Sequence, residues 1–141
     1  MPTVSRSVLV PRSAEQMFAL VDDVEHYPQF LPWCSGTRVL ERTEAVTRAR
    51  LEIDYHGLRT HFTTVNRKHP PGRMDLELEE GPFERLEGRW SFTQLGDEGS
   101  RVELTLDYEL ASHSLNRVVA PVLGYIMESL VDRFVARAES L

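Results

Sequence analysis

The sequence is poor in the residues that anchor chemistry or span membranes. A single cysteine, Cys34, among 141 residues excludes an internal disulfide and a cysteine-rich zinc site, and fits a reducing compartment. No apolar run approaches the ~20 residues that a membrane helix needs, and Met1 to Ser13 holds no stretch of signal-peptide length. The expectation is a soluble, cytoplasmic protein, with contact at the inner face of the cytoplasmic membrane left open. Positive charge is also short. Sixteen Lys and Arg face 22 Asp and Glu, a net charge of −6, and Lys68 is the only lysine. That sign is opposite to what a protein living on nucleic-acid phosphates carries, so DNA is excluded as a partner and RNA has to be argued locally. The five histidines His26, His56, His61, His69 and His113 show no metal-ligand spacing, and no GxSxG elbow or glycine-rich phosphate loop occurs. Cys34 lacks a partner base, and Glu77, Glu79 and Glu80 read as a solvated strand face. No catalytic residue, metal ligand or required cofactor is singled out, and the expectation is a protein that is not an enzyme.

What is present is the material of a core. Hydrophobic residues make up 41% of the chain and charged residues 27%, the balance of one globular domain over 1–141. At this size folding buries roughly 68% of the unfolded surface, enough for a core and a cavity beside it. Thr3 to Val10 alternates and stops at Pro11, as a strand does. Ser13 with Gln16 has the spacing of a capping box, and Met17, Phe18, Leu20, Val21 and Val24 follow at helical intervals. The stretch from His26 to Trp33, with two prolines and four large apolar side chains, is too interrupted for a regular element. From Gly36 to Leu110 the period is two: Ala49, Leu51, Ile53 and Tyr55, then Leu58, Thr60, Phe62 and Thr64, then Met74, Leu76 and Leu78. Leu86, Gly88, Trp90 and Phe92 continue the pattern, as do Val102, Leu104, Leu106, Tyr108 and Leu110. Turns are expected at His56-Gly57, Pro70-Pro71-Gly72, Gly81-Pro82 and Gly96 to Gly99. From Leu115 to Ala138 the apolar spacing becomes 3.6, predicting a helix of about 26 residues, ~39 Å long, with a kink or loose first turn at Pro121 and Gly124. This order predicts an α+β fold, an antiparallel meander with helices on one face.

The aromatic loop, the inward strand residues and the helix stripe outline a pocket for an apolar ligand. Tyr27, Phe30, Leu31 and Trp33 are expected at its mouth. Thr60, Phe62, Thr64, Gly88, Trp90, Phe92 and Tyr108 are expected on its strand walls, with Leu123, Met127 and Leu130 on the helix. Thr60, Thr64 and Tyr108 are the polar candidates, and Gly88 removes bulk where a ligand or a close backbone could sit. A second surface is the outward face of the predicted Ala49 and Phe62 strands. Arg48, Arg50, Arg59, Arg67 and Lys68 are placed outward, and against Glu52 and Asp54 they leave a local surplus of three positive charges that could meet RNA phosphates. An ordinary salt-bridged sheet surface is the alternative.

Several of these motifs stand in a familiar order. The run Pro11 to Val24, the Tyr27-Pro28-Gln29-Phe30-Leu31-Pro32-Trp33-Cys34 stretch and Phe62-Thr63-Thr64 come first. Gly81-Pro82-Phe83, Leu86 to Phe92 and the closing Phe134 to Ala138 follow. Together they resemble the coenzyme Q-binding and ribosome-association-toxin branch of the START-like, polyketide cyclase-related superfamily. The resemblance implies a helix-grip fold, in which the sheet wraps a long C-terminal helix. It implies one of two roles: binding of ubiquinone or a related lipid in support of respiratory electron transport, the first expectation, or association with the large ribosomal subunit as a toxin that blocks subunit joining. The partner is then a polyprenyl quinone or lipid, or the large ribosomal subunit.

Overall fold

The computed structural model describes residues 3–112 and 119–140, so Leu115, Arg117 and Val118 of the expected helix lie outside the described residues. In chain order the elements are β1 (Thr3–Val10), α1 (Ala14–Asp22), a 3₁₀ segment (Val24–Gln29), β2 (Cys34–Arg42) and β3 (Val46–Tyr55). They continue with β4 (Leu58–His69), β5 (Arg73–Glu80), β6 (Phe83–Leu95), β7 (Gly99–Leu110) and α2 (Val119–Ser140). The seven strands form one antiparallel sheet in the order β1-β7-β6-β5-β4-β3-β2. Strands β2 to β7 are a pure meander, and β1 closes the far edge beside β7.

Local chemistry explains most boundaries. Ser13 accepts from the Gln16 amide while the Gln16 side chain accepts from the Ser13 amide, so the capping box starts α1 where its spacing places it. His56 (φ 50°) and Gly57 (φ 83°) both take left-handed backbone, which a two-residue hairpin between β3 and β4 requires. The alternation of β3 and β4 is realised as cross-strand pairs on the inner face: Ala49 opposite Thr64, Leu51 opposite Phe62, Ile53 opposite Thr60. Helix α2 buries Leu123, Ile126, Met127, Val131, Phe134 and Ala138 along one stripe. Pro121 is the third residue of the described helix, and Gly124 lies a further three residues on.

The stretch after α1 departs from the expectation of irregular chain. It forms a 3₁₀ segment with Pro28 inside it, closed by the Phe30 and Leu31 amides, both donating to the Tyr27 carbonyl at 3.2 and 2.9 Å. The Tyr27 hydroxyl donates to the Val21 carbonyl, which ties the segment back to α1. Such a turn has no sequence period to reveal it. Its rings join the helix to the sheet: Phe134 of α2 lies 5.3 Å from Tyr27, 5.2 Å from Phe30 and 5.3 Å from Trp90, each edge to face.

Polar contacts fasten the same segment to β2. Arg42 donates to both carboxylate oxygens of Glu25, at 2.6 and 2.8 Å, and to the Asp22 carbonyl at 2.8 Å. The guanidinium holds the Glu25 carboxyl down from 4.5 to about 2. A carboxyl lowered on folding stabilises above its unfolded pKa, and that stabilisation is lost as pH falls toward the folded value. At 34% and 49% side-chain exposure the pair is screened by solvent, so its signature is a slope rather than a large energy. Glu25→Gln is expected to flatten the fall in stability between about pH 4.5 and 2, measured as urea midpoints across that window. An unchanged slope would remove this pair from the acid response.

Candidate functional site

Between the inner sheet face and α2 lies a cavity of about 60 Å³. Eight of the fourteen expected ligand residues wall it: Tyr27, Leu31 and Trp33 around the 3₁₀ segment, Phe62 and Thr64 from β4, Trp90 from β6, and Met127 and Leu130 from α2. The other six sit elsewhere. Phe30 covers the segment from outside, half-buried under the Arg137 guanidinium, whose carbon lies 5.3 Å from the ring centre. Thr60 lies half-buried near the hairpin end of β4, Phe92 packs edge to face on Phe18, and Leu123 is wholly core. Tyr108 packs edge to face on Phe83, and its burial raises the hydroxyl pKa.

Gly88 does not face the cavity. A β-carbon there would meet the Leu106 side chain and the Thr105 carbonyl, both at 2.8 Å, so the missing side chain makes room for the neighbouring strand and not for a ligand. Conversely, Ala49, Leu51, Leu76, Leu86 and Leu106 wall the cavity on the strands, where the alternation puts them inward without marking them as site. Val21, Val24 and Phe134 complete the apolar wall. Asn66 is the polar wall residue absent from the expected set. It follows Thr64 by two positions and so shares its face, a signal available from strand parity alone.

The polar side chains of this interior cluster at one end. Lys68, expected outward, points inward instead: its side chain is 6% exposed and its ammonium donates to Asp22 at 3.1 Å. The Thr47 hydroxyl donates to the other oxygen of Asp22 at 2.7 Å. An even count from Phe62 keeps Lys68 on the inner face, and a carboxylate from the end of α1 makes its burial affordable. Trp33 is held by its backbone, its carbonyl accepting from the Asp54 amide at 3.0 Å, and its ring stacks on Phe62 at 6.2 Å. Neither the Trp33 Nε1 nor the Asn66 Oδ1 has a hydrogen-bond partner among the described residues. Burial raises the pKa of the Tyr27 hydroxyl and pushes the Cys34 thiol up to about 11, so neither is poised to ionise near neutrality. Among the described residues no group of three or more His, Cys, Asp or Glu is placed to hold a metal ion.

The outer sheet face matches the salt-bridged alternative. Arg48 pairs with Glu79 at 2.7 Å, Arg50 with Glu52 at 2.7 Å, Arg67 with Glu77 at 3.3 Å and Arg59 with Asp54 at 3.6 Å. With Lys68 turned inward, the expected surplus of positive charge is not there. No described helix is long and apolar enough to cross a membrane.

Comparison with known proteins gives a consistent setting. The family described as polyketide cyclase / dehydrase and lipid transport matches residues 10–135. The chain is 39% identical over 141 residues to the ribosome association toxin RatA of Escherichia coli (strain K12), covering all of this chain and 89% of that protein. It is 32% identical over 136 residues to the mitochondrial coenzyme Q-binding protein COQ10 homolog B of Xenopus laevis, covering 96% of this chain and 55% of that protein. A START superfamily protein from Mycobacterium smegmatis superposes with a TM-score of 0.78 at 28% identity, over 98% of this chain and 97% of the other. The last match agrees with the helix-grip arrangement of sheet and C-terminal helix.

Two substitutions test the interior. Gly88→Ala is expected to cost about 1–3 kcal/mol in urea unfolding by overpacking against Leu106 and the Thr105 carbonyl; a neutral result would mean the β6–β7 pair gives way freely. Lys68→Met leaves the Asp22 carboxylate without its cation and is expected to cost about 2 kcal/mol, with the added change Asp22→Leu recovering most of the loss.

Proposed function

Since the chain belongs to the polyketide cyclase / dehydrase and lipid transport family, we propose that it acts by associating with the ribosome, without catalysis, and that it holds the large subunit so that the subunits fail to join. The observation that carries this reading is the filled interior. About 60 Å³ between sheet and helix is less than half of the ~150 Å³ that admits benzene, so the ring and tail of a polyprenyl quinone have no place in this conformation. What the fold offers a partner is its surface. The relatives support this: those matched at 39–40% identity over all 141 residues bear the name ribosome association toxin, whereas the coenzyme Q-binding relative is matched over 55% of its own length.

The outer face can contribute despite its ion pairs. Exposed pairs are worth about 0–1 kcal/mol, so exchanging a carboxylate for a ribosomal phosphate costs little. Arg59 and Arg67 are the best placed for it. Their partners lie at 3.6 and 3.3 Å rather than 2.7 Å, and their side chains are 84% and 57% exposed.

A second reading is favoured by the cavity wall. It is almost wholly apolar, and Leu76 and Leu130, both half-buried, together with the unbranched Met127 could yield to a ligand such as a quinone ring. Ubiquinone binding in support of respiration is the specific form of that reading.

Sucrose-gradient sedimentation of the purified protein with ribosomal subunits tests the main reading. The expected result is migration with the large subunit and a shrinking peak of joined ribosomes as protein is added. Protein that stays at the top of the gradient while the subunits join normally would refute it. Arg59→Glu with Arg67→Glu is expected to lower the bound fraction roughly tenfold at low salt and to flatten its salt dependence. Unchanged binding would move the contact off the outer sheet face.

A further inference from the structure

We propose that the cavity selects its ligand through Trp33 and Asn66. The ligand is then a compact ring compound carrying a carbonyl-type acceptor for the Trp33 N–H and a second polar substituent for the Asn66 amide, not a hydrocarbon chain. This inference rests on the second reading above and goes beyond it by naming the two side chains that select the ligand and the substituents they require.

Three observations converge on these two side chains. First, both are more than nine-tenths buried, at 1% and 8% exposure, and both wall the same cavity. Second, the Trp33 Nε1 and the Asn66 Oδ1 have no partner among the described residues, although a buried polar atom left unpaired is costly. Third, two polar neighbours of Asn66 toward the end of α1 are satisfied. Thr47, directly opposite Asn66 in the β3–β4 register, and Lys68, two residues beyond it, both reach Asp22. Of the buried side-chain atoms left unpaired among the described residues, the Arg73 Nε, Ser100 Oγ and Arg137 Nε lie away from the cavity, whereas those of Trp33 and Asn66 belong to its wall.

The geometry restricts what could meet it. The Trp33 ring is stacked on Phe62 and its backbone is anchored to β3, so the indole can only donate, and from one fixed place. The Asn66 amide can present either its oxygen or its NH₂ by turning over, so it accepts a hydroxyl or donates to a second oxygen. An isoprenoid or acyl chain serves neither group and would leave both unpaired in an apolar enclosure. A ring with oxygen substituents at two positions serves both; because the cavity of about 60 Å³ is smaller than a ring needs, its entry requires Leu76, Met127 and Leu130 to move aside.

The test compares two probes of similar shape with the full chain. Para-hydroxyacetophenone carries a carbonyl and a hydroxyl, and para-cymene replaces them with an isopropyl and a methyl group. Binding is read from the fluorescence of Trp33 and Trp90, the only two tryptophans, which both wall the cavity, and by equilibrium dialysis where Trp33 is changed. The expected result is that Asn66→Leu and Trp33→Phe each weaken para-hydroxyacetophenone about tenfold, equivalent to 1.4 kcal/mol, while para-cymene binds as well as before or more tightly. Equal losses for both probes, or no loss for the polar one, would overturn the selection by Trp33 and Asn66 but leave an apolar ligand site standing. Failure of both probes to bind the unaltered protein would remove the ligand site as well. The thermal midpoint guards against a folding artefact. Removing an unpaired amide is expected to leave Asn66→Leu at least as stable as the original protein, and a variant that melts well below it would show that the amide is structural and sink the proposal.

Discussion

The packing of one helix against a sheet wider than it can cover is the constraint on which the rest of the structure depends. Seven strands at about 4.8 Å spacing span about 29 Å, whereas a helix with its side chains is about 10–12 Å across. Helix α2 can shield only a band of the inner face. The remainder falls to α1 and the 3₁₀ segment, and Phe134 sits where the covering elements meet, its ring against Tyr27, Phe30 and Trp90. The prolines and aromatics of the 28–33 stretch make sense in this light. They shape a short segment that must present several large side chains toward the sheet without the length of a helix.

The same constraint sets where polar groups enter the interior. At the end of α1 the covering element is no longer apolar, and Asp22 arrives over the inner face of β3 and β4. Thr47 and Lys68 then become tolerable there because Asp22 accepts from both. Asn66 and Trp33, one step farther into the cavity wall, lie beyond the reach of that carboxylate. The interior thus grades from a satisfied ionic corner, through two unpaired polar groups, to an apolar wall. The outer face solves its own electrostatics by pairing arginines with carboxylates on the same strand, the adjacent strand or, for Arg48 and Glu79, across β4, so an arginine-rich sheet face is not strongly cationic.

These features bear on function in opposite directions. A filled interior turns attention to the surface, and the relatives named for ribosome association share this chain over its full length. The unpaired polar pair keeps the interior of interest even so, since an indole N–H and an amide oxygen left without partners both belong to the wall of one cavity. A protein of this fold can carry both a surface that meets a large partner and a small interior that meets a ligand, because the outer and inner faces of a sheet are independent by strand parity.

Much of this was legible in the residues themselves. The capping box at Ser13, the left-handed turn at His56-Gly57 and the two-residue alternation of the strands are local chemistry, and they determine the element order and the inward identity of Leu51, Phe62 and Trp90. The change to a 3.6 period determines that a long helix closes the chain. Other facts were decided only by the tertiary structure. Strand parity already put Lys68 inward, but its charge argued for water, and only the arrival of Asp22 from another element settles which argument wins. Gly88 reads as space, but whether that space belongs to a ligand or to the next strand depends on how closely Leu106 and the Thr105 carbonyl approach. Strand parity puts Asn66 on the face of Thr64 and the aromatic loop puts Trp33 at the same pocket, but the sequence holds no sign that neither polar atom has a partner. Local propensity and periodicity act over a few residues, whereas burial, pairing and cavity size are properties of surfaces brought together from distant parts of the chain, which is why the sequence alone determines the first set and only the folded molecule determines the second.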